Sequence, residues 1–254
     1  MAELVIEVRN LDLGYGDLQI MRNLNFSVNK GEIFVIMGSS GCGKSTLLKA
    51  MIGLKAPEKG DVFYRGKNFW DADEIEQEKL IRSFGVLYQG GALWSSFTLG
   101  ENVALPLELY SNLTVAQIKE QVDLKLSLVG LSGYTDFYPE ELSGGMRKRA
   151  GLARALSLEP QIVFFDEPSA GLDPITARML DDLILELRDI LGVTVVVVTH
   201  ELASIFAIGD KAILLDADEK SMIAQGSPKE LLSGSKDDRV IKFLTRGVKK
   251  GSGL

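Results

Sequence analysis

The chain has 254 residues, 46% of them hydrophobic and 25% charged, with 26 Gly and 7 Pro. That balance supports a buried core and excludes collagen-like, low-complexity and disordered classes. The net charge of −7 excludes attachment to nucleic acid or an anionic membrane through bulk attraction. A single cysteine, Cys42, leaves no internal disulfide, and the opening MAELVIEVRN lacks the basic start and long apolar run of a signal peptide, so a cytoplasmic chain is expected. The longest charge-free stretch, Ser83 to Gly100, is interrupted by Gly, Ser, Thr and Gln. No spanning helix is expected, and any membrane work must go through a partner.

In chain order, Leu4–Val8 and Leu24–Val28 read as short alternating strands around the turn Gly14–Asp17, an antiparallel layer flanking a core. Ile33–Met37, Ile162–Phe165 and Val193–Val198 are near-continuously apolar, the pattern of strands buried on both faces of a parallel sheet. Between about residues 90 and 158 strand signals vanish, and Thr114-Val115-Ala116-Gln117 reads as a capping box opening a helix, so this segment is expected to be a helical insertion. Leu180, Leu183, Ile184, Leu187 and Leu191 form a helical stripe bounded by Pro174 and Gly192. Strand, helix and strand in that order imply right-handed crossovers in an α/β fold. Ser227-Pro228-Lys229-Glu230 is a second capping-box candidate, Asp237–Leu244 reads as helical, and Lys249–Leu254 as a frayed tail.

Gly38-Ser39-Ser40-Gly41-Cys42-Gly43-Lys44-Ser45-Thr46 follows an apolar strand and leads into the helical run Leu47–Met51, the context of a P-loop. Its glycines let successive N–H groups turn toward phosphate, Lys44 can reach the β and γ phosphates, and the Ser45 hydroxyl can ligate Mg²⁺. Cys42 reads as a tolerated small residue whose alkylation would obstruct the cradle. Asp166-Glu167 ends the second buried strand, where Asp166 could meet the metal and Glu167 could act as general base toward an attacking water; a solvated acid pair is the alternative. Leu142-Ser143-Gly144-Gly145-Met146 opens a helix carrying Arg147-Lys148-Arg149. Ser143 there can be a plain N-cap, or, with the adjacent N–H groups, an anion site.

These motifs, with Gln89 after the strand-like Val86-Leu87-Tyr88, Ser169-Ala170-Gly171-Leu172-Asp173, and His200 after the third buried strand, together resemble the nucleotide-binding subunit of ABC transporters. The resemblance implies a P-loop NTPase (RecA-like) parallel-sheet core with a flanking antiparallel β layer and an inserted α-helical subdomain. The whole chain would be one nucleotide-binding domain: residues 1–89 and 159–225 the catalytic core, 90–158 the helical subdomain with the signature, and 226–254 C-terminal helices and tail. It further implies a head-to-tail dimer of two copies, in which ATP and Mg²⁺ lie between the P-loop of one chain and Ser143, Gly144 and Gly145 of the other. Tyr15 would stack on adenine, although it could equally be a half-buried turn aromatic. Gln89 would contact Mg²⁺ or the water, His200 the γ-phosphate, and Asp173 would sit in the loop linking the sites.

Met146 departs from the commonest signature, which has glutamine there. LSGGM, the stretch Gln89-Gly90-Gly91-Ala92-Leu93-Trp94 running to Asn102–Leu107, and Asp173-Pro174-Ile175-Thr176 are similar to ATPases of Mla or Mce-associated lipid transport. That branch implies ATP-powered phospholipid transport between bacterial inner and outer membranes. Its ATPase sits on the cytoplasmic face of the inner membrane, with an MlaE-like permease, an MCE lipid-binding protein and a small STAS-type subunit as partners and no nucleic acid. The alternatives are the ATPase of another ABC transporter, or a soluble ABC ATPase of iron–sulfur cluster assembly, which would share nearly every catalytic residue.

Overall fold

A computed structural model describes residues 3–247, so the tail expected at Lys249–Leu254 lies outside the described residues. The chain divides into two compact units, one up to Gln77 together with the residues from Val196 onward, the other Glu78–Val195.

The first unit opens with β1 (Leu4–Tyr15) and β2 (Leu18–Asn29), antiparallel from Tyr15↔Leu18 to Leu4↔Asn29. Both strands are longer than the sequence pattern marks, because register shifts interrupt the alternation along the ladder. Gly16, at φ 57°, makes the two-residue turn between them. Next come β3 (Ile33–Gly38) and α1 (Lys44–Met51), then β4 (Lys59–Tyr64), antiparallel to β1, and β5 (Lys67–Asn68). The order β2-β1-β4-β5 is the expected antiparallel layer. The Arg65-Gly66 turn between β4 and β5 has positive φ at both positions, 49° and 80°, which suits a tight hairpin.

The second unit contains α2 (Glu74–Arg82, begun in the first unit), β6 (Phe84–Leu87), α3 (Leu99–Tyr110), α4 (Val115–Leu128), a 3-10 turn at Pro139–Glu141, α5 (Gly144–Ala155), β7 (Ile162–Asp166) and α6 (Pro174–Leu191). β6 and β7 pair in parallel from Phe84↔Ile162 to Leu87↔Phe165. Thr114 caps α4 with Gln117 answering, as its sequence implies, and Thr98 with Glu101 does the same for α3. α6 has Asp173 as N-cap, Pro174 in its first turn and Gly192 as a left-handed C-cap at φ 65°.

β8 (Thr194–Thr199) begins in the second unit and ends in the first, which then adds α7 (Leu202–Ile208), β9 (Lys211–Asp216), β10 (Ser221–Gly226), α8 (Pro228–Gly234) and α9 (Asp238–Leu244). β3 pairs in parallel with β9, and β10 lies antiparallel outside β9. Val35 and Met37 of β3, Ala212 and Leu214 of β9, and Ile205, Leu231, Val240 and Leu244 of the three helices form one buried cluster. Among the described residues no helix is long and apolar enough to cross a membrane.

Candidate functional site

In the first unit the P-loop joins the fully buried β3 to α1. Gly38 is held by space: a Cβ there would lie 2.5 Å from Cys42 Sγ and 2.7 Å from Leu215 O of β9. Gly43, the N-cap of α1, is held by conformation as well, at φ 99°, with Ile20 Cγ2 only 2.8 Å from where its Cβ would be. Lys44 is buried and folds back over its own loop, donating from Nζ to Gly38 O at 2.9 Å and Ser39 O at 3.0 Å. Ser39, Ser40 and Ser45 are exposed, and Thr46 is half-buried. Cys42 is 1% exposed, and burial pushes its thiol pKa up, with nearby Lys44 working the other way. Its smallness is a packing requirement, since the sulfur occupies the space beside Gly38.

Tyr15 stands at the end of β1, 51% exposed, with Lys55 Nζ 4.3 Å from its ring centroid. It is an exposed aromatic rather than a half-buried turn residue. His200 follows β8 and is exposed; its Nε2 lies 3.5 Å from Glu201 Oε1, and Arg246 reaches Glu201 Oε2 at 3.0 Å. Ser39, Ser40 and His200 share a cavity of about 540 Å³ with Asp216, Arg239 and Lys242. The structure thus brings the N-terminal shoulder of the P-loop and His200 to one cavity wall.

In the second unit Gln89 and Gly90 are exposed, two and three residues past the end of β6. The segment after them is tied down by Asn102 of α3, which is fully buried. Its Oδ1 accepts from Trp94 N at 2.8 Å while its Nδ2 donates to Trp94 O, Phe97 O and Thr98 O at 2.9–3.2 Å. Arg154 of α5 donates to Ala92 O at 2.5 Å and Gly91 O at 3.1 Å, and Gly151 is needed because a Cβ would lie 2.7 Å from Gly91 O.

Ser143 is the N-cap of α5, accepting from Met146 N at 3.3 Å, and both it and Gly144 are exposed. Gly145 is buried, and a Cβ on it would meet Thr176 Cγ2 at 2.5 Å. Asp166 ends β7 and Glu167 follows it, both half-buried, and Glu167 adopts φ 47°, left-handed backbone on a residue with a Cβ. Asp173 is exposed and accepts from the Thr176 hydroxyl at 2.6 Å and from the N–H groups of Thr176 and Ile175 at 3.0 Å; these bonds hold its carboxyl below the usual range.

Nothing in the sequence marks Asn102 as a site feature, and Arg147-Lys148-Arg149 reads there simply as a basic stretch of helix. In the structure Lys148 is buried on the same stripe as Gly145 and Leu152. A cation at that helical spacing was the available signal. Among the described residues no three His, Cys, Asp or Glu side chains cluster as a metal cage. The Ser45 hydroxyl, Gln89 amide and Asp166 carboxylate are hard oxygen donors, the kind Mg²⁺ takes alongside phosphates and several waters.

A model of the ABC transporter family matches residues 21–170. The chain is 41% identical over 244 residues, 96% of its length and 91% of the relative's, to the intermembrane phospholipid transport system ATP-binding protein MlaF of Haemophilus influenzae. It is 39% identical over 239 residues, 94% of its length and 66% of the relative's, to the probable ribonucleotide transport ATP-binding protein mkl of Mycobacterium tuberculosis. Its fold is similar to a dimeric post-hydrolysis structure of the ATP-binding cassette MJ0796 bound to ADP and phosphate. That match has a TM-score of 0.79 and 30% identity over 87% of this chain and 98% of that one.

Proposed function

The chain belongs to the ABC transporter family and is an ATPase, and from that premise we propose that it powers phospholipid transport between the inner and outer membranes of a bacterium. The observation that carries this reading is the 41% identity to the Haemophilus influenzae protein across 96% of the chain. Met146 and the stretch from Gln89 to Leu107 support the same branch. The mycobacterial relative, named for ribonucleotide transport, is the observation favouring a second reading, the ATPase of another transporter.

In the proposed division of labour, residues 1–89 and 159–225 form the catalytic core, 90–158 the helical subdomain and 226–254 the C-terminal region. The P-loop from Gly38 to Thr46 cradles the phosphates with backbone N–H groups, and the Lys44 ammonium exchanges its loop carbonyls for phosphate oxygens. Tyr15 stacks on the adenine. Ser45, Gln89 and Asp166 would hold Mg²⁺, which when bound neutralises phosphate charge. Glu167 takes the proton of the attacking water, Gln89 orients that water, and His200 turns from Glu201 toward the γ-phosphate. Ser143, Gly144 and Gly145 of a second copy bind that phosphate from across a head-to-tail dimer, with Asp173 linking the two sites. ATP favours the closed dimer and hydrolysis releases it, so the work is done by differential binding to two states. The dimer sits on the cytoplasmic face of the inner membrane under an MlaE-like permease, with an MCE protein and a small STAS-type subunit in the same assembly.

Affinity purification of the tagged chain from detergent-solubilised membranes, followed by mass spectrometry of proteins and lipids, tests this reading. A multi-span permease, an MCE protein and bound phospholipid are expected. A different permease without an MCE protein would keep the ATPase and overturn the lipid assignment, and purely soluble partners would favour a cluster-assembly ATPase.

A further inference from the structure

We propose that Lys148 is a positioning residue for Glu167, holding from the signature helix the turn that carries this carboxylate. Lys148 is 5% exposed, and its Nζ donates to Pro168 O at 2.5 Å and Ala170 O at 2.6 Å. These carbonyls flank Ser169, itself buried, in a turn where Ala170 N donates to Glu167 O at 3.2 Å and Leu172 N to Ser169 O at 3.1 Å. Glu167 sits at the head of that turn at φ 47°, a conformation that a residue with a Cβ keeps only where its surroundings enforce it. Lys148 supplies that enforcement from the next residue along, and its charge is close enough to Glu167 for the two to attract.

The neighbouring cations of α5 show what is particular about Lys148. Arg147 donates to Leu142 O at 2.6 Å and Arg149 to Val129 O at 3.4 Å; both are half-buried, and neither bonds to the turn that follows β7. Burial pushes the Lys148 pKa down, and the nearby Glu167 carboxylate works the other way. A methionine of similar length would fill the space without that desolvation. What methionine cannot do is grip two carbonyls at once, and that grip joins the helix beginning at Ser143 to the turn beginning at Glu167.

This inference rests on Glu167 being the base, and the test separates the two. Steady-state ATP turnover is measured on the full-length protein in its purified transport complex for Lys148→Met, Lys148→Arg, Glu167→Gln and the double variant. Lys148→Met should lower kcat by about 10- to 100-fold, the scale of a misplaced catalytic group, with KM for ATP changed by less than about threefold. Lys148→Arg, which keeps a cation able to reach carbonyls, should recover most of that loss. In the Glu167→Gln background Lys148→Met should cost no more than about twofold, because residues acting as a unit are not additive. Equal losses in both backgrounds, a rise in KM at constant kcat, or no loss at all would overturn the proposal. If Lys148→Met does not fold, Lys148→Gln, whose shorter amide cannot hold both carbonyls, takes its place alone and combined with Glu167→Gln and decides by the same non-additivity. Near-normal turnover of the Glu167→Gln single variant removes the base assignment and this proposal with it.

Discussion

Gly144 and Gly145 are adjacent glycines that the fold treats in opposite ways, and replacing each by alanine separates packing from function. A Cβ on Gly144 meets nothing closer than Leu172 Cδ2 at 3.7 Å, an ordinary contact, and its φ is not positive. Within the chain nothing requires glycine there, so Gly144→Ala should stabilise by about 0.4–1 kcal/mol through the unfolded state. That corresponds to about 1–4 °C in Tm for a chain of this size. The residue is nevertheless exposed at the start of α5, where a γ-phosphate from the facing chain is proposed to approach. A methyl group there displaces the phosphate by about its own radius, and turnover should fall about 100-fold. Gly145→Ala should lose stability instead of gaining it, because its Cβ would sit 2.5 Å from Thr176 Cγ2, and overpacking should cost about 1–3 kcal/mol. Thr176→Ser removes that methyl while keeping the hydroxyl that donates to Asp173 at 2.6 Å, so the pair Gly145→Ala with Thr176→Ser should regain most of the stability. Scanning calorimetry and ATP turnover on the same samples read both quantities. A Gly144→Ala protein that is less stable, or that turns over ATP normally, would refute the reasoning.

Asn102→Asp keeps the acceptor for Trp94 N but turns three donated bonds into contacts between a carboxylate and carbonyl oxygens. It should destabilise by about 2–4 kcal/mol and speed amide exchange at Trp94, and unchanged exchange there would contradict the clamp. The Cys42 thiol, buried and with a raised pKa, should react slowly with iodoacetamide, its rate rising only at pH above that of an exposed thiol; ready labelling of the folded protein at neutral pH is the contrary result. Asp173 has its folded pKa lowered by the Thr176 hydroxyl first and then by the helix N–H groups, so its stabilisation is complete above the ordinary carboxylate value and is lost as pH falls through the lowered one. The difference in urea midpoint between wild type and Asp173→Ala should therefore be present at neutral pH and close in acid, and a constant difference would argue against this linkage.

The elements legible in the sequence are those whose signal is local. β3, β7 and β8 are continuous apolar runs, α6 carries Pro and Gly at its two ends, and the caps at Thr114 and Ser227 are written within four residues. β4, β9 and β10 carry little strand signal: β4 buries only Val62 and Tyr64, β10 buries none of its residues, and β9 is a short apolar run between Lys211 and Asp216 whose parallel partner β3 is distant in the chain. The P-loop, Asp166-Glu167 and His200 stand out by residue type and spacing, and the roles proposed for them rest on that. The carbonyl clamps of Lys148 and Arg154 are not legible, since a charged side chain names no partner when the partner is backbone. Gly38 is the intermediate case: the motif announces a glycine, while the reason for it, the approach of Leu215 O, appears only when β9 is laid beside β3.

The Lys44 ammonium, already seated on Gly38 O and Ser39 O, acts as a placeholder for its own ligand. In the proposed binding mode these two carbonyl bonds are released as the phosphates arrive, with no separate opening of the loop. Association should then follow a single exponential whose rate rises linearly with nucleotide concentration, without the plateau that a slow rearrangement of a collapsed loop imposes. Part of the intrinsic attraction between ammonium and phosphate is exchanged for the carbonyl bonds given up, which lowers the affinity of a single subunit. Under the proposed head-to-tail arrangement, tight retention of ATP would then fall to contacts that form only when two chains meet.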